Sequence, residues 1–406
     1  VLRVTAVREV PKPGVDGGAG SPLDAATFGL VFRRSGWRAV LVLVVLAQLA
    51  HVLLRPRGWV YEWRWATYQY QFSTVLLAPL VAGIAAVIGR RWSSARVQLA
   101  SSPRGGLGLV LGAVPVTLVV LGAYVAGFVV VVVLAKGAGT PGMPSAGELA
   151  LFGPAMAQLI VAVAGGYVVG WWTRSLLAAP LVAVVVFAGL LGGWVGGEVA
   201  LVKVGGASAS LVGLQQAGSV IQNQVVFFGF ATVAIGGVAV ARLRRSGWAV
   251  PAGAAVIALV GLVPLLNWTG EPLVAVDEPM VCSGESPRIC VAEPYERFVP
   301  DLRSRLDPMV ERLQVQGVAV PVEVRQAFYL GMDPGVGAVA QEALVSEDPQ
   351  AAEFALVSAW LHDECTSAEE MRAQSQVLAT LQDSLRSPTA AGLADLVAAL
   401  DAMCRP

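Results

Sequence analysis

Seven stretches of this chain are apolar for long enough to leave few alternatives to burial in a bilayer. They run over about 37–54, 68–88, 107–135, 149–172, 176–197, 224–241 and 248–266. A spanning helix needs about 20 largely apolar residues, and in hydrocarbon only helices and closed barrels satisfy their own backbone groups. The third stretch is long enough to tilt or to extend past the bilayer. The fourth and fifth are separated only by Thr173-Arg174-Ser175, which makes them a tight hairpin. With 56% hydrophobic and 14% charged residues, the chain is too apolar for an ordinary soluble fold. The expected architecture is an α-helical polytopic membrane protein of about seven transmembrane helices with a small C-terminal α+β extracytoplasmic domain. Its parts are a cytosolic tail and interfacial helix (1–35), a membrane domain (36–266) and an acidic domain (267–406).

The formal net charge of zero hides a division between these parts. Residues 1–266 hold 19 Lys/Arg against 6 Asp/Glu, a net of +13, and residues 267–406 hold 9 against 22, a net of −13. An odd number of crossings puts the two ends on opposite sides. With the N-terminus in the cytosol, fourteen basic residues fall in inner segments and five (Arg55, Arg57, Arg64, Lys136 and Lys203) in outer loops. The positive-inside bias therefore predicts a cytosolic N-terminus and an extracytoplasmic C-terminus. The run from Arg55 to Tyr70 is dense in Trp, Tyr and Arg, as expected of a belt at headgroup level. His51 reads as an interfacial residue.

Residues 1–22 are polar and rich in Gly and Pro, so no cleavable signal is expected there and the first apolar helix acts as an uncleaved anchor. Residues 23–34 fit either a short helix on the membrane surface or an extension of the first crossing.

All four cysteines (Cys282, Cys290, Cys365 and Cys404) lie in the part expected to face an oxidising compartment. The simplest pairing is 282–290 with 365–404, out of three possible connectivities. No Cys-x-x-Cys occurs and His362 is the single histidine outside the membrane part, which argues against a zinc site. Tyr295, Phe298, Leu302, Leu306, Met309 and Leu313 recur at helical steps across 294–316, interrupted by Pro300 and Pro308. Val318, Val320, Val322 and Val324 alternate as a short strand would, and Pro321 favours an edge position. Helices are expected over 349–364, 367–386 and 389–403.

Within the membrane part, Gly108-x-x-x-Gly112 and Gly166-x-x-x-Gly170 read as close-packing surfaces. Pro154, Pro180 and Pro251 read as first-turn residues, whereas Pro79, Pro115 and Pro264 could kink their helices. From 107 onward the apolar cores contain no Asp, Glu, Lys, Arg or His, which excludes the buried ionisable groups that ion-coupled carriers use. No Gly-x-x-x-x-Gly-Lys-Ser/Thr loop occurs, so ATP hydrolysis of that class would have to come from another chain. Nothing points to a cofactor, a metal or a nucleic-acid partner.

The loop between the second and third crossings, Gly89 to Gly106, is basic and holds Trp92, Ala95, Val97 and Leu99 around Arg96, the makings of a short amphipathic helix. Over residues 23–245 this layout resembles the membrane subunits of ABC-2-type transporters, and Ser102-Pro103-Arg104 is the most specific point of likeness. That resemblance implies a multi-pass permease subunit in a bacterial plasma membrane, working as a homo- or heterodimer with a separate nucleotide-binding ATPase. Arg90, Arg91, Trp92, Arg96 and Arg104 would form or flank the ATPase-docking loop, among membrane lipid. The family plan of six crossings does not account for a seventh or for an added C-terminal domain. A second reading is a non-transporting sensor or scaffold whose C-terminal domain binds a ligand or envelope component. A third is an ectoenzyme, for which Asp363 and Glu364 beside His362 are the single hint.

Overall fold

The computed structural model describes residues 37–95, 105–195 and 204–326, apart from a few loop positions, with short segments at 336–339, 376–381 and 392–402. The tail and interfacial helix expected before residue 36, the helix expected over 349–364, the His362 cluster, Cys365 and Cys404 lie outside them.

Helices form where the apolar runs predict them. They are α1 (Trp37–Leu53), α2 (Trp63–Gln71), α3 (Thr74–Trp92), α4 (Gly105–Gly137), α5 (Ala146–Ala150), α6 (Phe152–Thr173), α7 (Ala178–Val195), α8 (Gly218–Arg244) and α9 (Ala249–Leu266). Among the described residues, five stretches are long and apolar enough to cross a bilayer: Trp63–Trp92, Val110–Gly137, Ala146–Thr173, Gly218–Arg244 and Ala249–Leu266. Two shorter apolar helices, Arg38–Leu53 and Ala178–Gly192, occupy the first and fifth expected spans. Large apolar side chains face outward along α1, α4, α7 and α9, among them Val133, Leu181, Val184, Val256 and Val260. So much contiguous exposed apolar surface is stable in hydrocarbon and not in water. The fold is that of a helical membrane protein.

Helices cannot be driven together by the hydrophobic effect inside lipid, so backbone proximity has to hold them. The α3–α6 seam does this with Ala82, Ala85 and Ala86 against Gly166 and Gly170. A Cβ built on Gly166 would lie 2.0 Å from the Ala82 carbonyl oxygen, and one on Gly170 would lie 1.9 Å from that of Ala86. The Gly166/Gly170 pair therefore packs as its spacing implies. α7 packs against α3 and also touches α6, α1 packs on α4, and the α8–α9 hairpin joins the bundle through α8. Pro154, Pro180 and Pro251 occupy first-turn positions, and Pro79, Pro115 and Pro264 lie inside their helices.

Beyond α9 the chain forms β2 (Leu273–Ala275), which pairs antiparallel with β1 (Leu214–Gln216). A second sheet has the order β3 (Met280–Ser283), β4 (Arg288–Ala292), β5 (Glu323–Gln326) and β6 (Val336–Val339). β3 and β4 form an antiparallel hairpin, whereas β5 lies parallel to β4 after a crossover through α10 (Val299–Val315). Tyr295, Leu302, Leu306 and Leu313 are fully buried against Ile289, Val291 and Val324, so the expected helical face between 294 and 316 is present. Pro300 sits in the first turn of α10 and Pro308 inside it. A last helix, α11 (Leu393–Ala402), falls within the expected 389–403 segment.

Two expectations are corrected. The valine alternation at 318–324 is not the strand; Val322 is exposed and the strand begins at Glu323. Nor is it an edge, because β5 lies between β4 and β6, and Pro321 stands before it where no ladder donor is needed. Cys282 and Cys290 are directly opposite in the β3–β4 register and form a disulfide. We expect non-reducing peptide mapping to recover the Cys282–Cys290 pair intact, and its reduction to loosen this hairpin before the helical bundle.

Candidate functional site

Glu62 lies just before α2, and it is the only acidic residue between Asp24 and Glu148. It is 4% exposed. The Ser210 hydroxyl donates to its Oε2 at 2.5 Å and the Tyr295 hydroxyl at 2.9 Å, while the Leu211 N–H donates to Oε1 at 3.0 Å. One carboxyl group thus joins three parts of the chain: the membrane bundle, the 204–214 connection and the C-terminal α+β unit. Burial pushes its pKa up to about 7, opposed by these three hydrogen bonds and by the Arg64 charge.

Neighbouring contacts strengthen the junction. Arg64 Nη1 reaches the carbonyls of Leu211 and Leu214 at 3.3 and 3.2 Å and the Glu278 carboxylate at 2.7 Å. Val212 enters the α+β core beside Ile289 and Tyr295. Tyr61 meets Phe298 edge-on at 5.2 Å, and the Arg297 guanidinium lies over both rings and donates to the Gly139 carbonyl. The 204–214 connection can approach α2 because Gly205 has φ 82°, and a Cβ there would lie 2.1 Å from the Tyr68 carbonyl oxygen.

The aromatic run therefore does not form the expected headgroup belt. Trp59, Trp63, Trp65, Tyr68 and Tyr70 are all buried, and Arg64 pairs with protein. His51 is buried as well, its Nε2 3.0 Å from the Gln69 carbonyl oxygen. Deeper in the bundle the Gln48 amide donates to the Tyr70 hydroxyl at 2.9 Å. Tyr70 in turn donates to the Tyr124 carbonyl, and the Tyr124 hydroxyl donates to Gln71 Oε1 at 2.5 Å. Phe128 and Phe152 cap this network. It is neutral, and it ties α1, α2 and α4 together where lipid offers no alternative partner.

At the opposite, basic end the residues expected to dock an ATPase are placed in part. Arg90 and Arg91 form the last turn of α3, followed by a 3₁₀ turn over Ser93–Ala95. Arg91 is exposed. Arg90 Nε donates to the Arg174 carbonyl at 3.0 Å, linking the ends of α3 and α6. Trp92 is half-buried beside Gly112, whose Cβ would also meet the Tyr167 hydroxyl. Three helices, α3, α4 and α6, thus converge where the basic loop begins. Arg96 and Arg104 lie outside the described residues.

Sequence reasoning missed the junction by reading residues 55–70 as one amphipathic belt. The lone Glu62 in an otherwise acid-free stretch of more than a hundred residues was the available signal, since an isolated carboxylate among aromatics needs donors. No family model, no curated protein and no solved structure matches this chain.

Proposed function

We propose that the chain is a permease-like membrane subunit of an ATP-driven exporter, of the ABC-2 type that its layout resembles, and that a separate ATPase docks on its basic loop. In this reading seven helices cross the plasma membrane, the basic end faces the cytosol and the α+β unit lies outside. The observation that carries it is the convergence of α3, α4 and α6 at Arg90, Trp92, Tyr167 and Arg174. A force applied to the loop reaches the tightest helix seam in the bundle without passing through a slack connection. The Glu62 junction then links that movement to the outer unit, which caps the exit. The chain supplies no ATPase motif of its own, so the nucleotide chemistry belongs to the partner.

Affinity purification of the full chain from its native membrane should recover an ATPase, and R90E/R91E should reduce that recovery at least about tenfold. Two charge reversals at a basic interface cost more than the 1.4 kcal/mol that tenfold represents. If no ATPase is recovered, or if both forms retain the same cytosolic partners, the docking loop is wrong and a sensor or scaffold becomes the better account. The junction favours that second reading to the extent that it would carry a signal from the α+β unit into the bundle.

A further inference from the structure

A cavity of about 570 Å³ lies between α3, α6, α7 and α8. That is the size of a small-ligand pocket. Its back wall is closed by Gln158, Ala162, Gly166 and Phe228, all buried. Its front wall belongs to α7, where Leu181 is 64% and Val185 60% exposed, so the crevice is bounded on that side by the outward, lipid-facing surface of the bundle. On α6 the lining runs from Gln158 to Val169 along one helical face. At 1.5 Å per residue this is about 16 Å, roughly half of a hydrocarbon core. No charged side chain lines it. An occupant of this length and chemistry is a hydrocarbon chain.

The rim below the crevice says which lipid carries that chain. Val169 is about 8 Å of helix rise from Arg174, and Ile235 about 10 Å from Arg242. Arg174 and Arg242 are both exposed, and the Arg242 guanidinium lies 4.9 Å from the ring centroid of Trp172. No Asp or Glu occurs in residues 149–197 or 199–270, the stretches that carry these arginines. Basic side chains at the mouth of an interhelical crevice recognise anionic headgroups. We propose that this crevice holds one acyl chain of an anionic phospholipid whose headgroup sits on Arg174 and Arg242. The site shares Arg174 with the convergence at the basic end, but it needs no ATPase: Arg90 contacts the Arg174 backbone carbonyl, whereas the headgroup site uses the Arg174 side chain.

Two glycines make the proposal testable without disturbing the bundle. Gly165 and Gly189 both line the cavity, and a Cβ built on either meets nothing within 4 Å. G165L/G189L therefore fills the crevice from within. The full chain in nanodiscs would be exposed to trace phosphatidylglycerol or phosphatidylcholine carrying a mid-chain diazirine, with labelled peptides read by mass spectrometry and α9 as the internal standard. Peptides spanning 158–190 should take phosphatidylglycerol over phosphatidylcholine roughly thirtyfold, the preference two surface arginines provide. R174Q/R242Q should reduce that preference to near one, and G165L/G189L should remove labelling by both lipids while α9 is unchanged. Equal labelling by both lipids in the unaltered chain would reduce the crevice to a generic lipid groove and overturn the proposal. Persistence of the preference in R174Q/R242Q would overturn the headgroup site, and crosslinking of these peptides to a second copy would assign the crevice to a dimer interface instead.

Discussion

Gly166→Leu should destabilise the helical bundle by roughly 3 kcal/mol, whereas Gly165→Leu, one residue earlier on the same helix, should cost less than about 1 kcal/mol. At Gly166 the new Cβ would lie 2.0 Å from the Ala82 carbonyl oxygen and 2.7 Å from its carbon, so backbone would have to move. The other face of the α3 seam is equally tight, since a Cβ on Gly89 would lie 2.0 Å from the Tyr167 carbonyl oxygen. Forcing the seam apart forfeits dispersion contacts along its length, and lipid replaces them poorly because it cannot interdigitate so closely. At Gly165 the same side chain enters open space and gains helix propensity over glycine. Thermal unfolding of the two variants in detergent tests the contrast. Equal melting temperatures would mean that α3 and α6 are not held by backbone contact.

The second large effect is expected at Glu62 and depends on pH. Its carboxyl keeps its proton in the folded chain up to about pH 7, whereas an ordinary glutamate releases it near 4.5. A group whose folded pKa is raised favours folding fully below the unfolded value and loses that contribution as pH rises through the folded one. The junction should therefore weaken between about pH 4.5 and pH 7 by an amount of order 3 kcal/mol, with no further change above. Glu62→Gln should flatten this profile. Glu62→Ala should be worse at every pH, because it strands the Ser210 and Tyr295 hydroxyls and the Leu211 N–H at about 1–3 kcal/mol each. Hydrogen exchange in segments 204–214 and 288–299 is the appropriate measurement, since it reports release of the α+β unit separately from melting of the helices. A pH-independent exchange rate in the unaltered chain would contradict the assignment.

Much of this architecture was legible because membrane burial leaves a strong sequence signal. Apolar runs bounded by Arg90-Arg91, Arg174 and Arg242 mark helix ends directly, and the 294–316 helix announced itself through the spacing of Tyr295, Leu302, Leu306 and Leu313. What was not legible depended on long-range pairing. Whether Tyr70 faces headgroups or Gln48 and Tyr124 is decided by α1 and α4, more than twenty and fifty residues away. Glu62 is understood only once Ser210 and Tyr295 are beside it. The β5 strand was displaced in the reading because alternating valines satisfy a period of two whether or not a parallel partner exists. The β4–α10–β5 crossover supplies that partner from 288–292, and no local pattern specifies it.

The small β1–β2 sheet has a mechanical consequence for the hairpin it encloses. α8 and α9 are joined by a short turn at one end, and at the other the chain entering α8 and the chain leaving α9 are hydrogen-bonded to each other. The Ala217 N–H also donates to the Pro272 carbonyl at 3.1 Å, which fastens the frame where α8 begins. A rod pair closed at both tips cannot scissor; it can only tilt as one lever about its contact with α6.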